Sequence, residues 1–131
     1  MFAASHRLYA PTLSDEQNRE IYGKCNNPHG HGHNYALEVT VSGPVSSETG
    51  MVCNLADLDQ CVRETVLERF DHQNLNTMKE FEQLVPTTEN LVETVHNILN
   101  HSFHAAHLEK VRIDETLMNS FEYFGAGGPR R

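Results

Sequence analysis

The sequence predicts an α+β domain, an antiparallel four-stranded sheet with two helices on one face, in the order strand, strand, helix, helix, strand, strand. Three observations predict it. Apolar residues alternate with period two near both ends of the chain, and alternation marks strands with one buried face. Two central runs instead keep the 3.6-residue period of amphipathic helices. Grouping the helical runs between strand pairs gives helices packed on one face of an antiparallel sheet. With no repeat, no low-complexity segment and no interior linker, the 131 residues read as one domain, 1–131.

The elements follow in order. Phe2 to Leu8 (FAASHRL) places Phe2, Ala4, His6 and Leu8 on one strand face. Tyr9 to Gly30 is a polar segment with two prolines. From His31 to Ser42, His31, His33, Tyr35, Leu37, Val39 and Val41 share one face, and Glu38, Thr40 and Ser42 the other, the pattern of a half-buried antiparallel strand. Asn54 is placed to N-cap a helix running to about Phe70, with Leu55, Leu58, Val62 and Val66 at helical spacing. Thr87 or Thr88 caps a second helix with Leu91, Val95, Ile98 and Leu99 on one side. Leu108 to Leu117 aligns Val111, Ile113, Glu115 and Leu117, and a strand near Asn119 to Phe124 closes the order. The tail GAGGPRR, 125–131, reads as a flexible end.

Composition narrows the function. A net charge of −8 counts against nucleic acid, whose binding needs a basic face, but not against an anionic small molecule, for which a few local basic residues suffice. No apolar run approaches the ~20 residues of a membrane span. The N-terminus lacks the basic and apolar regions of a signal peptide, so a cytoplasmic setting is expected. Cys25, Cys53 and Cys61 form no C-x-x-C pair, which implies neither a disulfide framework nor a zinc ribbon.

The stretch CNNPHGHGHNY, residues 25–35, carries the chemistry. If the first two strands are neighbours, His6, His31 and His33 converge on the buried side of the sheet. Three imidazoles there are hard to satisfy, and a zinc ion with three His ligands and an open position satisfies them and reads as catalytic. Gly32, between the two histidines, is expected to leave room for ion or substrate. Cys25 is either a small buried hydrophobe or, near a dication or a cationic His, a thiolate serving as base or nucleophile. Glu115 sits at a core-facing position, and a buried carboxylate needs partners, such as a heterocycle presenting adjacent N–H donors. Asp71-His72 is either a favourable histidine at a helix C-terminus or a general acid–base pair. His96, His101, His104 and His107 fall late in or just after the second helix, where the dipole favours them, and are set aside with His29. Cys53 and Cys61 are assigned to packing.

FAASHRLY, KCNNPHGHGHNY, FDHQNLN, TTEN and DET, in this order and covering most of the length, resemble the 6-pyruvoyltetrahydropterin synthase family. The resemblance implies the tunnelling fold (T-fold), in which sheets of several subunits close an oligomeric barrel and trimers pair into hexamers. It implies one zinc per chain on His6, His31 and His33, and Cys25 as catalytic base. It also implies Asp71 and His72 as a proton-relay pair supplied by a neighbouring subunit, Glu115 as pterin anchor and relay member, and Thr87, Thr88 and Glu89 as contacts to the pterin ring. The implied reaction is a carbon–oxygen lyase step of tetrahydrobiopterin synthesis: 7,8-dihydroneopterin triphosphate gives 6-pyruvoyltetrahydropterin and triphosphate, with magnesium also required. Arg7 and Lys24 are candidates for phosphate contacts. Against the family pattern, the leading half of the first strand is absent and the ending FGAGGPRR departs, so the edge that closes the barrel is expected to be shortened.

Three rivals make different predictions. A 6-carboxytetrahydropterin synthase of the queuosine pathway acts on the same substrate, but its cysteine typically stands closer to His-Gly-His than the five residues intervening here. A cupin-type oxygenase would need Glu38 on the histidine face, and its parity is wrong. A non-catalytic zinc-binding oligomer of the same fold would hold metal without turnover.

Overall fold

The computed structural model describes residues 1–28, 30–116 and 118–126. His29, Leu117 and residues 127–131 of the expected tail lie outside the described residues. In chain order the elements are β1 (Phe2–His6), α1 (Asp15–Tyr22), β2 (His31–Ser42), α2 (Leu55–Val62), α3 (Glu68–Phe70), β3 (Gln73–Asn74), α4 (Thr88–Ser102), β4 (His107–Asp114) and β5 (Ser120–Tyr123).

β2 organises the sheet. Its first half pairs antiparallel with β1, from His31 opposite His6 to Tyr35 opposite Phe2. From Ala36 onward it pairs antiparallel with β4, which pairs in turn with β5. A bulge at Thr40/Val41 leaves Glu109 as the additional residue on β4, so Leu108, Val111 and Ile113 are all buried despite their mixed parity. α4 covers this face through Leu91, Val92, Val95 and Leu99, against Tyr35, Val66, Phe70, Leu75 and Val111. Each such side chain contributes roughly 1.5–3 kcal/mol by leaving water.

The structure corrects the sequence expectations in four places. The sheet has five strands in the order β3-β1-β2-β4-β5 and is mixed, because β3 pairs parallel with β1. Two residues are too few for any alternation to show. The segment expected to be irregular between Tyr9 and Gly30 contains α1 and a 3₁₀ turn, Gly23–Asn26. Ser14 and Gln17 form a capping box on α1, and buried Asn18 bonds back to the carbonyls of Ala10, Leu13 and Ser14, so polar groups rather than an apolar stripe hold this helix. The helix capped by Asn54 does run to Phe70, but through a π-helical stretch, Arg63–Leu67, between α2 and α3.

Strand ends are the fourth correction. β1 stops at His6, not Leu8, because the Arg7 N–H donates to Asn76 Oδ1 (2.6 Å) and the Leu8 N–H to the Cys25 carbonyl (2.6 Å). β4 stops at Asp114, and Glu115 opens the hairpin turn, its N–H donating to the Asn119 carbonyl. Cys61 packs against the core, and all three cysteines are free thiols. Among the described residues, no helix is long and apolar enough to cross a membrane.

Candidate metal centre

Register builds the centre. His6 and His31 are direct cross-strand partners, and His33 stands opposite Ala4, so period-two geometry turns all three imidazoles to one face. Ring centroids lie 4.7 Å apart for His6–His31 and His31–His33, and 5.2 Å for His6–His33. Glu115 reaches the same point from the hairpin turn, with Oε1 3.0 Å from His33 Nε2 and 3.7 Å from His6 Nε2. One ligand atom from each of the four residues falls within 4.8 Å of all the others.

The tautomer of His6 is fixed from outside. Its Nδ1 lies 2.7 Å from the Pro86 carbonyl, which can only accept, so Nδ1 carries the proton and Nε2 presents a lone pair. That Nε2 faces His31 Nε2 at 3.1 Å. Two ligands held at about 2.0–2.1 Å in a tetrahedral zinc site stand about 3.3 Å apart, so the spacing fits such an ion. His33 Nε2 is buried and lies off the line of a hydrogen bond to Glu115 despite their closeness; a buried polar atom without a partner costs about 1–3 kcal/mol. Burial, above all, pushes the His6 and His31 pKa values down and the neighbouring imidazoles push further, while the Pro86 carbonyl on His6 and the Glu115 charge on both counter. Neutral imidazoles with bare nitrogens are the form a metal needs.

Cys25 lies in the 3₁₀ turn Gly23–Asn26, tied to the chain just beyond β1 and close enough to Glu115 to feel its charge, but it is not one of the four grouped ligands. Its carbonyl accepts from Leu8, and Asn26 Nδ2 donates to the Leu8 carbonyl at 3.0 Å. Burial first, and the Glu115 charge second, push the Cys25 thiol up. The protein's own groups therefore favour the thiol, and a thiolate here needs positive charge such as a dication supplies. Gly32 does not make room for the ion as expected, because it points to the opposite, exposed face of β2, where an added Cβ meets only the Ala4 carbonyl, at 3.7 Å. The glycine that matters is Gly30, with φ of 72° and an added Cβ only 3.2 Å from the His6 carbonyl.

Asp71 and His72 lie elsewhere. Asp71 Oδ1 accepts the Ala3 N–H at 2.8 Å, and the His72 N–H donates to the Ala3 carbonyl at 2.5 Å, both at the edge of β1. Asp71 Oδ2 stands 3.1 Å from His72 Nδ1. The Ala3 N–H, then the His72 ring, hold the Asp71 carboxyl below its usual range against a smaller opposing effect of burial. His72 takes a left-handed φ of 60° and its side chain is 83% exposed. No hydrogen bond or ion pair joins the pair to the imidazoles among the described residues.

The start of α4 borders the centre. Thr87 is the N-cap, its hydroxyl accepting from the Asn90 N–H. Thr88 is buried near Tyr35, its hydroxyl without a hydrogen-bond partner, and Glu89 is exposed in the first turn. Arg7 stacks on Tyr9 (4.6 Å), donates from Nε to the Asn26 carbonyl, and lines a cleft of about 510 Å³ with Asn76, Leu84 and Pro86. Lys24 is exposed. His96, His101, His104 and His107 belong to no group of three potential ligands among the described residues. Pro86 and Tyr35 went unremarked in the sequence as parts of the site; a proline carbonyl leaves no residue-type signal, and a tyrosine on an apolar face reads as core.

A family model described as 6-pyruvoyl tetrahydropterin synthase matches residues 1–126. The 6-pyruvoyl tetrahydrobiopterin synthase of Poecilia reticulata is 46% identical over 95% of this chain and 85% of its own. That of Homo sapiens is 46% identical over 95% and 86%. The structure of Caenorhabditis elegans 6-pyruvoyl tetrahydropterin synthase superposes with a TM-score of 0.91 at 40% identity, covering 95% of this chain and 90% of that one.

Proposed function

Because the chain belongs to the 6-pyruvoyl tetrahydropterin synthase family, we propose that it converts 7,8-dihydroneopterin triphosphate to 6-pyruvoyltetrahydropterin with loss of triphosphate. The observation that carries this reading is the convergence of His6, His31 and His33 with Glu115 on the buried face of β1 and β2. His6, His31 and His33 would hold a zinc ion, one per chain. When bound, zinc supplies Lewis acidity toward side-chain oxygens and acidifies the adjacent C–H bonds.

The chain's own groups divide the remaining work. Cys25 removes a carbon-bound proton of the substrate side chain, as general base. Glu115 accepts N–H donors of the pterin ring, and Thr87, Thr88 and Glu89 border that ring. Asp71 and His72 relay protons from a neighbouring subunit, in trimers that pair into hexamers; their separation from the imidazoles within one chain supports this. Magnesium would neutralise the departing triphosphate, with Arg7 the better placed of the two basic candidates, since it lines a cleft.

Incubation of the purified protein with dihydroneopterin triphosphate, zinc and magnesium, followed by product identification, tests the proposal. 6-Pyruvoyltetrahydropterin is expected. 6-Carboxytetrahydropterin would move the chain to the queuosine reaction, and bound zinc with no product would make it a non-catalytic oligomer.

One distance favours a second role for Glu115. At 3.0 Å from His33 Nε2, it is placed to be a fourth ligand to the ion instead of an anchor for the ring. Zinc affinity and substrate affinity, measured separately in Glu115→Gln, distinguish the two.

A further inference from the structure

We infer that Tyr35 is a positioning residue for the metal ligand His6, acting through its phenol oxygen; this rests on the zinc reading above. Tyr35 is fully buried and stacks on Phe2 at 5.1 Å. Its ring stands edge-on beneath two of the three imidazoles, His33 at 5.6 Å and His6 at 6.4 Å. Its hydroxyl lies 3.4 Å from His6 Nδ1, the atom that also faces the Pro86 carbonyl.

The proton inventory assigns each partner a direction. Pro86 offers only an acceptor, so the Nδ1 hydrogen belongs to His6. The Tyr35 oxygen is then the second acceptor for that hydrogen, and the buried Thr88 hydroxyl, which stands near the phenol and has no hydrogen-bond partner of its own, is left as the candidate acceptor for the phenol's own proton. Two acceptors from different elements, β2 and the entry to α4, define the rotation of the His6 ring better than one. That rotation sets where the bare Nε2 points. Packing alone does not require the hydroxyl, since phenylalanine has the same ring and would stack on Phe2 equally well. The hydroxyl is therefore a separable feature whose position answers to His6.

Outer partners of metal-bound histidines typically change metal affinity by ~10–100-fold. Competition titration of the metal-free full-length protein with zinc, for wild type, Tyr35→Phe, Thr88→Val, Thr88→Ser and Tyr9→Phe, measures this directly and without substrate. Tyr35→Phe should bind zinc ~10–100-fold more weakly, and the visible spectrum of its cobalt(II) form should shift as the ligand geometry loosens. Thr88→Val should move both readouts less and in the same direction, Thr88→Ser should restore them, and Tyr9→Phe should leave them unchanged.

Wild-type zinc affinity together with a wild-type cobalt spectrum in folded Tyr35→Phe overturns the inference. If Tyr35→Phe does not fold, the same result in Thr88→Val overturns it. A wild-type protein that takes up no zinc overturns the zinc reading itself and this inference with it. Tight zinc binding by wild type, unaltered in the variants, sinks the Tyr35 role alone.

Discussion

The two halves of the proposed site sit at different places on β1. On its buried face, His6 is fully buried and the His33 and Glu115 side chains are only 18% and 14% exposed. At its far edge the Asp71 side chain is 41% exposed and that of His72 83%. The inner half is assembled by strand register, so one chain supplies all its geometry. The outer half is tied to the edge of β1 through the Ala3 backbone and the parallel pairing of β3 that follows it, with a non-glycine residue in a left-handed conformation that costs energy and persists where its surroundings impose it. A buried cluster complete in one chain, and an exposed pair with no hydrogen bond or ion pair to it among the described residues, suit the site divided between chains proposed above.

The largest loss is expected from removing a member of the inner half. His33→Ala leaves two imidazoles of three, an incomplete site. Bound zinc should fall from about one per chain to a small fraction, and product formation should be lost with it. Full zinc retention by metal analysis would show that register alone does not define the centre. His101→Ala, on the far end of α4, should retain both zinc and turnover.

Cys25→Ala and His72→Ala should each keep zinc and lose ~10²–10⁴-fold in turnover, the usual contribution of a general acid or base. If the halves meet across subunits, refolding the two variants together yields some sites with Cys25 from one chain and His72 from its neighbour. Homo-oligomers repeat one interface around a closed ring, so those sites should be active although neither parent is. Hybrids shown by mass to have formed, yet inactive, would place both groups in a single chain.

Glu115→Gln sharpens the boundary of the inner half with a smaller effect. The amide keeps the shape but presents a donor where a ring N–H needs an acceptor. Hydrogen bonds to charged groups are worth ~1.5–3 kcal/mol, so substrate binding should weaken roughly ten- to a hundredfold at ~1.4 kcal/mol per decade, with zinc affinity kept. Zinc loss with unchanged substrate affinity would make Glu115 a metal ligand.

The inner half was legible in the sequence because parity is resolved to a single residue: three histidines at matching positions in two alternating runs converge once the runs pair. Glu115 was legible for the same reason, although the strand that implied its direction ends one residue before it. The turn carrying Cys25 was not, since its placement depends on Leu8 and Asn26, up to 18 residues apart. The end of β1 depends on Asn76, 69 residues from Arg7. Such side chain–backbone bonds leave no periodic trace. α1 was missed although its S-x-x-Q capping box was in plain view, because its buried face is polar. β3, which places the outer half against β1, is too short to announce itself.

The smallest effect concerns how the outer half is held. The Ala3 N–H, first, and His72, second, depress the Asp71 pKa in the folded state. A depressed carboxyl contributes stability that is fully present above the unfolded value, about 3.9, and is lost as pH falls through the lower folded value. The His72 loop should therefore loosen from the edge of β1 only in strong acid, and only slightly, because Asp71 remains in contact with solvent. Asp71→Asn keeps an oxygen for Ala3 but does not titrate. Protection of the Ala3 amide from hydrogen exchange, taken as the ratio of wild type to Asp71→Asn, should be level above about pH 5 and fall toward one below about pH 4. Taking the ratio cancels the acid-driven loss of metal from the imidazoles, which both proteins share. Identical pH profiles in the two proteins would mean that the carboxylate charge does not hold His72 in place, and that its left-handed backbone is imposed by β3 alone.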